Sequence, residues 1–206
     1  MIRSYSELND EHIDVLREIG NIGAGNAATS LGVLLNSDVQ IGLPRVRIED
    51  YDNVIASVGG SEELIVAVLV RFKGEANGVV LFTLSMEDAK NIMAILVGED
   101  ETDTPGLDEM KMSAVKEIGN ILGSAYLGSI SMLTGLELDI SVPHIAIDMT
   151  GAILSALVVE YGAEDSKVMF IEERFSLGET GLNSHVILFT DIPSLRSVMA
   201  GLGLSI

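Results

Sequence analysis

Two constellations of polar residues recur in this chain almost one hundred residues apart. Asp14, Glu18, Asn21 and Pro44 form the first; Ser113, Glu117, Asn120 and Pro143 form the second. In both, the Asp or Ser stands four residues before the Glu, the Asn three residues after it, and the Pro twenty-three after the Asn. Each Glu and Asn belong to the same string, Glu-Ile-Gly-Asn, at 18–21 and 117–120. On a helix, residues at i and i+3 lie about 5–6 Å apart on one face. The spacing therefore presents a carboxylate and a carboxamide together to whatever docks there. Such a couple offers charge and hydrogen bonds rather than a nucleophile, and its recurrence points to two equivalent sites.

Each residue also has a plainer reading. A lone Glu on a helix is ordinarily a solvated surface residue. Asn fits that reading less well, because its amide competes for backbone hydrogen bonds in a helix interior. Its placement in mid-helix in both copies needs a reason. Asp14 and Ser113 read as supports rather than reactants. Pro44 and Pro143 read as shaping a strand edge or turn and carry no chemistry.

Other chemistries find little in the chain. His12, His144 and His185 are isolated, with no His-x3-His pair, and the chain has no Cys. His12 reads as a surface helix residue, His144 and His185 as strand residues. No Gly-x-Ser-x-Gly elbow is present. The Gly-x-Gly at 23–25 lies inside a helical pattern, not between strand and helix, and nothing like a phosphate loop follows it. No cofactor or metal site of the chain's own is expected.

Composition narrows the partners. Of 206 residues, 31 are acidic and 12 are Lys or Arg, for a net charge of −19. A nucleic-acid binder needs clustered cations to neutralise phosphates, so nucleic acid is not expected, nor is an anionic membrane surface. Mean hydropathy is high at +0.40, yet the apolar runs are short, as at Leu64–Val70 and Ala156–Val159. None approaches the roughly 20 residues that cross a bilayer. The first residues lack the apolar stretch of a secretory signal. A cytoplasmic protein without membrane insertion is the expectation.

The elements that must position the two couples also recur. Residues 18–48 align with 117–147 without a gap; Val79–Thr83 resembles Val186–Thr190. The chain reads as one domain of two internal repeats, about 8–98 and 107–204. The acidic, turn-rich stretch at 98–106, with Pro105 and Gly106, joins them. Each half predicts a long helix (10–35, 108–134), capped by Asn9 or Asp10 and by Asp108. A strand follows (38–48, 137–147), then a short helix or loop (50–58, 148–160). A hairpin comes next (64–73 with 78–84, 167–175 with 184–190), and a short helix closes each half (86–97, 193–201). The expected fold class is α+β: two pseudo-symmetric halves with antiparallel hairpins, each led by a long surface helix.

At 100° per residue, Ile13, Leu16, Gly20, Gly23, Ala27, Leu31 and Leu34 form one stripe of the first helix, which should face the core. Asp14, Glu18, Asn21 and Gly25 form another, facing away. In the second helix Met112, Val115, Gly119, Leu122, Tyr126, Ile130 and Leu133 face in, and Ser113, Glu117, Asn120 and Ser124 face out. Small residues follow each Asn. They allow another backbone to approach, either a neighbouring helix or a partner, the neighbouring helix being the reading favoured for the inner-stripe glycines.

The repeated pattern [Asp/Ser]-x3-Glu-x2-Asn-x22-Pro resembles the signature of the CheC/CheX/FliY family of chemotaxis phosphatases. No signature position departs from it, and the likeness extends over essentially the whole chain. The two copies and the length resemble the family's CheC branch, without the long extra domain of the flagellar-switch type. The resemblance implies a hydrolase of two-component signalling that removes the aspartyl phosphate of the response regulator CheY. It implies that Glu18, Asn21, Glu117 and Asn120 are catalytic, with each Asn orienting the attacking water and each Glu pairing with the regulator's Lys. Mg²⁺ would belong to the regulator. Binding of the receptor deamidase CheD is implied as well, with the chain a monomer or a heterodimer with CheD. The alternative is a non-catalytic adaptor for CheD or for flagellar switch components.

Overall fold

Residues 3–97, 109–161, 167–177 and 180–204 are described by a computed structural model. The first long helix, α1 (Asp10–Leu35), begins at a reciprocal cap: the Asn9 side chain accepts from the His12 backbone N–H at 3.0 Å, and the Asn9 N–H donates to His12 Nδ1 at 3.1 Å. His12 is therefore buried beneath the helix start rather than on the surface as the sequence predicts. Its ring nitrogen satisfies a backbone donor, a role that spacing alone does not reveal. The helix ends at Asn36, which adopts the left-handed conformation (φ 46°) and donates its N–H to the Gly32 and Val33 carbonyls.

After α1 come β1 (Val39–Ile41), β2 (Arg45–Asp50), α2 (Tyr51–Ser57), β3 (Leu64–Gly74), β4 (Gly78–Ser85) and α3 (Met86–Val97). The same series of types then follows: α4 (Glu109–Thr134), β5 (Leu138–Ile140), β6 (His144–Met149), α5 (Thr150–Tyr161), β7 (Lys167–Leu177), β8 (Thr180–Thr190) and α6 (Ile192–Gly201). The expected cap Asp108 and the expected join at 98–106 lie outside the described residues.

The strands form one antiparallel sheet with β4 and β8 at its centre, where Leu81 faces Ile187. β3 flanks β4 and β7 flanks β8. At the edges the connectivity crosses over: β1 and β2 lie along β7, while β5 and β6 lie along β3. The leading strands of each series thus complete the hairpin of the other. The two series share one hydrogen-bonded sheet, and neither could be lifted out with its strands paired.

Strand alternation sorts the core into two layers. Val66, Val68, Val70, Val80, Phe82, Met169, Ile171, Val186 and Leu188 face α1, α3, α4 and α6. Their neighbours Ile65, Ala67, Val79, Leu81, Val168, Phe170, Ile187 and Phe189 face α2 and α5. Helices on both sides explain the continuous apolar runs in the central strands. A sheet with one wet face would alternate polar and apolar residues instead.

The single strands expected over 38–48 and 137–147 are each broken in two, and in the same way. Ile41 faces Phe175 and Arg45 faces Glu172, so four steps along one strand oppose three along the other. Ile140 faces Phe72 and His144 faces Leu69, with the same offset. One extra residue in each edge strand makes a bulge, and each bulge ends in the signature proline, Pro44 or Pro143. Proline has no N–H to give to the ladder, so the break falls there.

The inner-stripe glycines let the long helices lie close to their neighbours. A methyl group on Gly23 would meet the Tyr126 ring of α4 at 2.8 Å, one on Gly123 would meet Val70 at 2.8 Å, and one on Gly119 would overlap the Val68 side chain. Gly25, on the outer stripe, has nothing within 4 Å. Substitution by Ala should therefore separate these positions. Gly119→Ala is expected to destabilise by about 1–3 kcal/mol through overpacking. Gly25→Ala is expected to stabilise by up to about 1 kcal/mol, through helix propensity alone. Urea unfolding of both variants checks the ranking; equal effects at the two positions would contradict this packing.

Candidate functional site

The helix faces follow from the packing just described. Leu16, Gly20, Gly23, Ala27 and Leu31 are buried in α1, as are Val115, Gly119, Leu122, Tyr126 and Ile130 in α4. With those stripes fixed against the sheet and each other, the opposite faces must point outward. Asp14, Glu18 and Gly25 are exposed and Asn21 is half-buried; Ser113, Glu117, Asn120 and Ser124 are all exposed. Among the described residues, no side-chain hydrogen bond or ion pair engages Glu18, Asn21, Glu117 or Asn120. Each couple thus has its charge and its amide free for an external group.

The bulge prolines hold the turn that carries each Asn. A methyl on Gly20 would lie 3.0 Å from Val46 and 4.0 Å from the Pro44 ring. A methyl on Gly119 would lie 3.3 Å from the Pro143 ring. Each signature Pro therefore packs over the glycine directly before the signature Asn. Four residues distant in sequence become one local unit: the Glu and Asn project outward from a turn whose inner side is seated on proline. Each proline shapes its strand edge at the bulge, as its lack of an N–H predicts, and its contact with the helix is an additional role.

The supports differ between the copies. Asp14 forms an ion pair with Arg17, both exposed, so Arg17 turns back along α1 instead of meeting its neighbour Glu18. A surface pair of this kind adds little stability; its effect here is on where the guanidinium sits. Ser113 has no charge to play that part, and Lys116, at the position equivalent to Arg17, makes no ion pair among the described residues.

A second difference lies beneath the first site. Glu173 of β7 is only 3% exposed, and neither carboxylate oxygen has a hydrogen-bond partner among the described residues. It follows Ile171 on the face that α1 covers. It also contributes to a cleft lined by Gly42, Leu43, Arg45, Glu172 and His185. Burial pushes its carboxyl up to about 8. The equivalent position in β3, one residue past the partner of the second bulge, is Val70. No sequence signal marks Glu173, because its burial follows from the crossed strand pairing. Leu43 and Val142, which precede the two prolines, are 89% and 74% exposed, and nothing in their sequence spacing marks them. Their shared position is visible in the alignment of 18–48 with 117–147.

No group of three or more His, Asp or Glu residues among the described residues is placed to hold a metal ion, and no described helix is long and apolar enough to cross a membrane. His185 lies against Phe170 with ring centroids 5.4 Å apart, and burial lowers its basicity. His144 stands exposed on β6.

The CheC-like family matches residues 11–47 and 110–147, the two stretches that run from the start of each long helix past each proline. The chain is 29% identical over 206 residues to the CheY-P phosphatase CheC of Bacillus subtilis (strain 168), covering 98% of this chain and 99% of that one. It is 24% identical over 187 residues to the putative CheY-P phosphatase CheC1 of Halobacterium salinarum, covering 91% and 94%. Among solved structures, FliY of Thermotoga maritima superposes with a TM-score of 0.77 at 25% identity, covering 96% of this chain and 98% of that one. Over both copies of the signature this chain is similar to the CheC-like family.

The buried carboxyl gives a prediction about the layer beneath α1. An unfolded Glu titrates near about 4.3 and the folded Glu173 near about 8. Between those values the native state holds a proton that the unfolded chain has lost, so Glu173's contribution to stability falls as pH rises through the window. Glu173→Gln removes that dependence. The variant's stability advantage over the wild type is expected to grow by on the order of 1 kcal/mol per pH unit up to about pH 8, then level off. Urea unfolding across that range measures it; parallel curves for the two proteins would contradict an isolated buried carboxyl.

Proposed function

We propose that this chain is a protein phosphatase that removes the phosphoryl group from the aspartate of a CheY-type response regulator. In this reading it has two sites, one at Glu18/Asn21 and one at Glu117/Asn120. The observation that carries the reading is the matched geometry of the two couples. Each is outward-facing, without an internal partner among the described residues, and seated on a proline-held turn. The names of the B. subtilis and H. salinarum relatives, similar over nearly their full lengths, support the substrate.

The chemistry suits these residue types. An aspartyl phosphate is an activated mixed anhydride, so its hydrolysis needs positioning and charge stabilisation rather than a covalent intermediate. The Asn amide enters the regulator's pocket and holds a water in line with the phosphorus. The water oxygen bonds to phosphorus as the bond from phosphorus to the acyl oxygen breaks. The regulator's aspartate leaves as carboxylate, and the water's proton passes to the phosphate produced. A neutral amide adds no negative charge beside the phosphoryl oxygens. Glu18 or Glu117 would repel them unless a cation intervenes, so its role is to pair with a Lys on the regulator and fix the docked geometry. Mg²⁺ is the regulator's in this scheme. A hundredfold acceleration corresponds to about 2.7 kcal/mol of barrier, within the range of one well-placed hydrogen-bonding group.

The same reading includes descent of the two series from one duplicated unit, residence in the cytoplasm, and association with CheD, as a monomer or a heterodimer with it. The adaptor alternative shares the partner binding and differs in the role of Asn. Combined Asn21→Ala and Asn120→Ala is expected to leave folding and regulator docking intact. It should reduce the catalysed phosphate release about a hundredfold. Single variants report the share of each site. Undiminished release by the double variant would remove Asn from the chemistry. A wild type that docks the phosphorylated regulator without accelerating release would favour the adaptor.

A further inference from the structure

The turns that carry the two couples are rooted close together. A methyl on Gly20 would lie 3.8 Å from Ile171, and one on Gly119 would overlap Val68. Those two sheet residues end one row of facing partners: Ile171 faces Val186, Val186 faces Phe82, and Phe82 faces Val68. Three inter-strand spacings separate the ends, about 14 Å. A small folded domain is about 30 Å across. Two such domains rooted that close and approaching from one direction would collide. Spacing alone would therefore limit the chain to one macromolecular partner at a time.

The direction of each couple removes that limit. α1 and α4 meet where the Tyr126 ring lies against Gly23, and where Asn26 Nδ2 donates to Ser129 Oγ at 3.4 Å. Helical rotation then fixes the couples relative to this seam. Asn21 lies about 160° around α1 from Gly23 and about 140° from Asn26. Asn120 lies about 120° around α4 from Tyr126 and about 180° from Ser129. Glu18 is about 140° from Gly23, and Glu117 about 180° from Tyr126. Exposure agrees: Glu18, Glu117 and Asn120 are exposed, whereas Gly23, Tyr126 and Ser129 are buried. Both couples face away from the seam, on opposite flanks of the helix pair.

We infer that this chain holds two phosphorylated receiver domains at once, one on each flank, neither excluding the other. The inference rests on the phosphatase reading and extends it from the existence of two couples to their simultaneous use. A domain seated on one couple leans outward over its own edge of the sheet. It leaves the helix seam and the far couple uncovered. The two seats also share no residue: Pro44, Val46 and Ile171 lie against the first turn, Pro143 and Val68 against the second. Docking on one flank therefore moves nothing that the other flank needs, and the two sites act independently.

The test titrates the full chain with the receiver loaded with beryllofluoride, a phosphoryl mimic, so that docking is read without turnover. Calorimetry and sedimentation should reach two receivers per wild-type chain. Glu18→Lys and Glu117→Lys each set a cation against the regulator's Lys at one couple. Each single variant should bind one receiver, and the combined variant none. Both side chains are exposed, so thermal unfolding should match the wild type. With saturating phosphorylated receiver, the wild-type kcat should equal the sum of the two single variants' values. Saturation at one receiver in the wild type and in each single variant would overturn simultaneous binding and leave the phosphatase reading standing; kcat would then not exceed that of the faster variant. Saturation at one receiver, with all binding lost in one single variant, would overturn the inference by leaving the chain a single site. Two receivers bound without faster phosphate release would keep the arrangement and overturn the catalytic reading. A wild type that binds no loaded receiver would overturn both.

Discussion

The close contact between helix and sheet at the signature prolines is the constraint on which the candidate sites depend. A glycine precedes each signature Asn, and its missing side chain leaves room for the proline and for a β-branched residue beneath it, Val46 at Gly20 and Val68 at Gly119. That contact sets the rotation of the helix about its own axis. Once the rotation is set, the direction of the residues on the opposite face follows from helical geometry. The Glu and Asn need no internal hydrogen bonds to aim them, and none is present among the described residues. Rigidity comes from the apolar side of the helix, and the polar side is left open to external groups.

Sheet connectivity extends the constraint across the molecule. Each bulge is formed on an edge strand of one series laid against the hairpin of the other. The seat of the first couple therefore depends on β7, from the second half of the chain, and the seat of the second on β3, from the first half. The pairing also explains why the two sites are alike without being identical. Beneath the first lies a buried carboxyl at Glu173 with no hydrogen-bond partner among the described residues; beneath the second the equivalent residue is Val70, which touches the helix at Gly123. The first couple has the Asp14–Arg17 pair beside it, and the second has Ser113 and a Lys116 with no ion pair among the described residues.

Local elements and helix faces were legible in the sequence because they depend on periodicity. The stripe from Ile13 to Leu34 and its counterpart from Met112 to Leu133 are written in one-dimensional spacing, and both long helices, both hairpins and both closing helices lie close to where the pattern puts them. The outward direction of Glu18, Asn21, Glu117 and Asn120 follows from the same spacing. What depends on contacts between distant residues was not legible. The break at each proline reads as part of one continuous apolar strand until the register of the facing strand is known. His12 follows the pattern of a surface residue, yet its ring closes a cap. Glu173 sits among charged neighbours in sequence, Glu172 and Arg174, and only the crossed pairing of β2 with β7 shows that it is enclosed. The alignment of the two copies held the positions of Leu43 and Val142, but not their exposure.

The lifetime of the phosphoryl group on a purified response regulator, followed as phosphate release with and without this protein, tests the central claim most directly. Catalytic amounts of the wild-type chain are expected to shorten that lifetime, with one molecule serving many regulators in turn. A lifetime that does not change at any concentration of the chain, while the two proteins still associate, would contradict it.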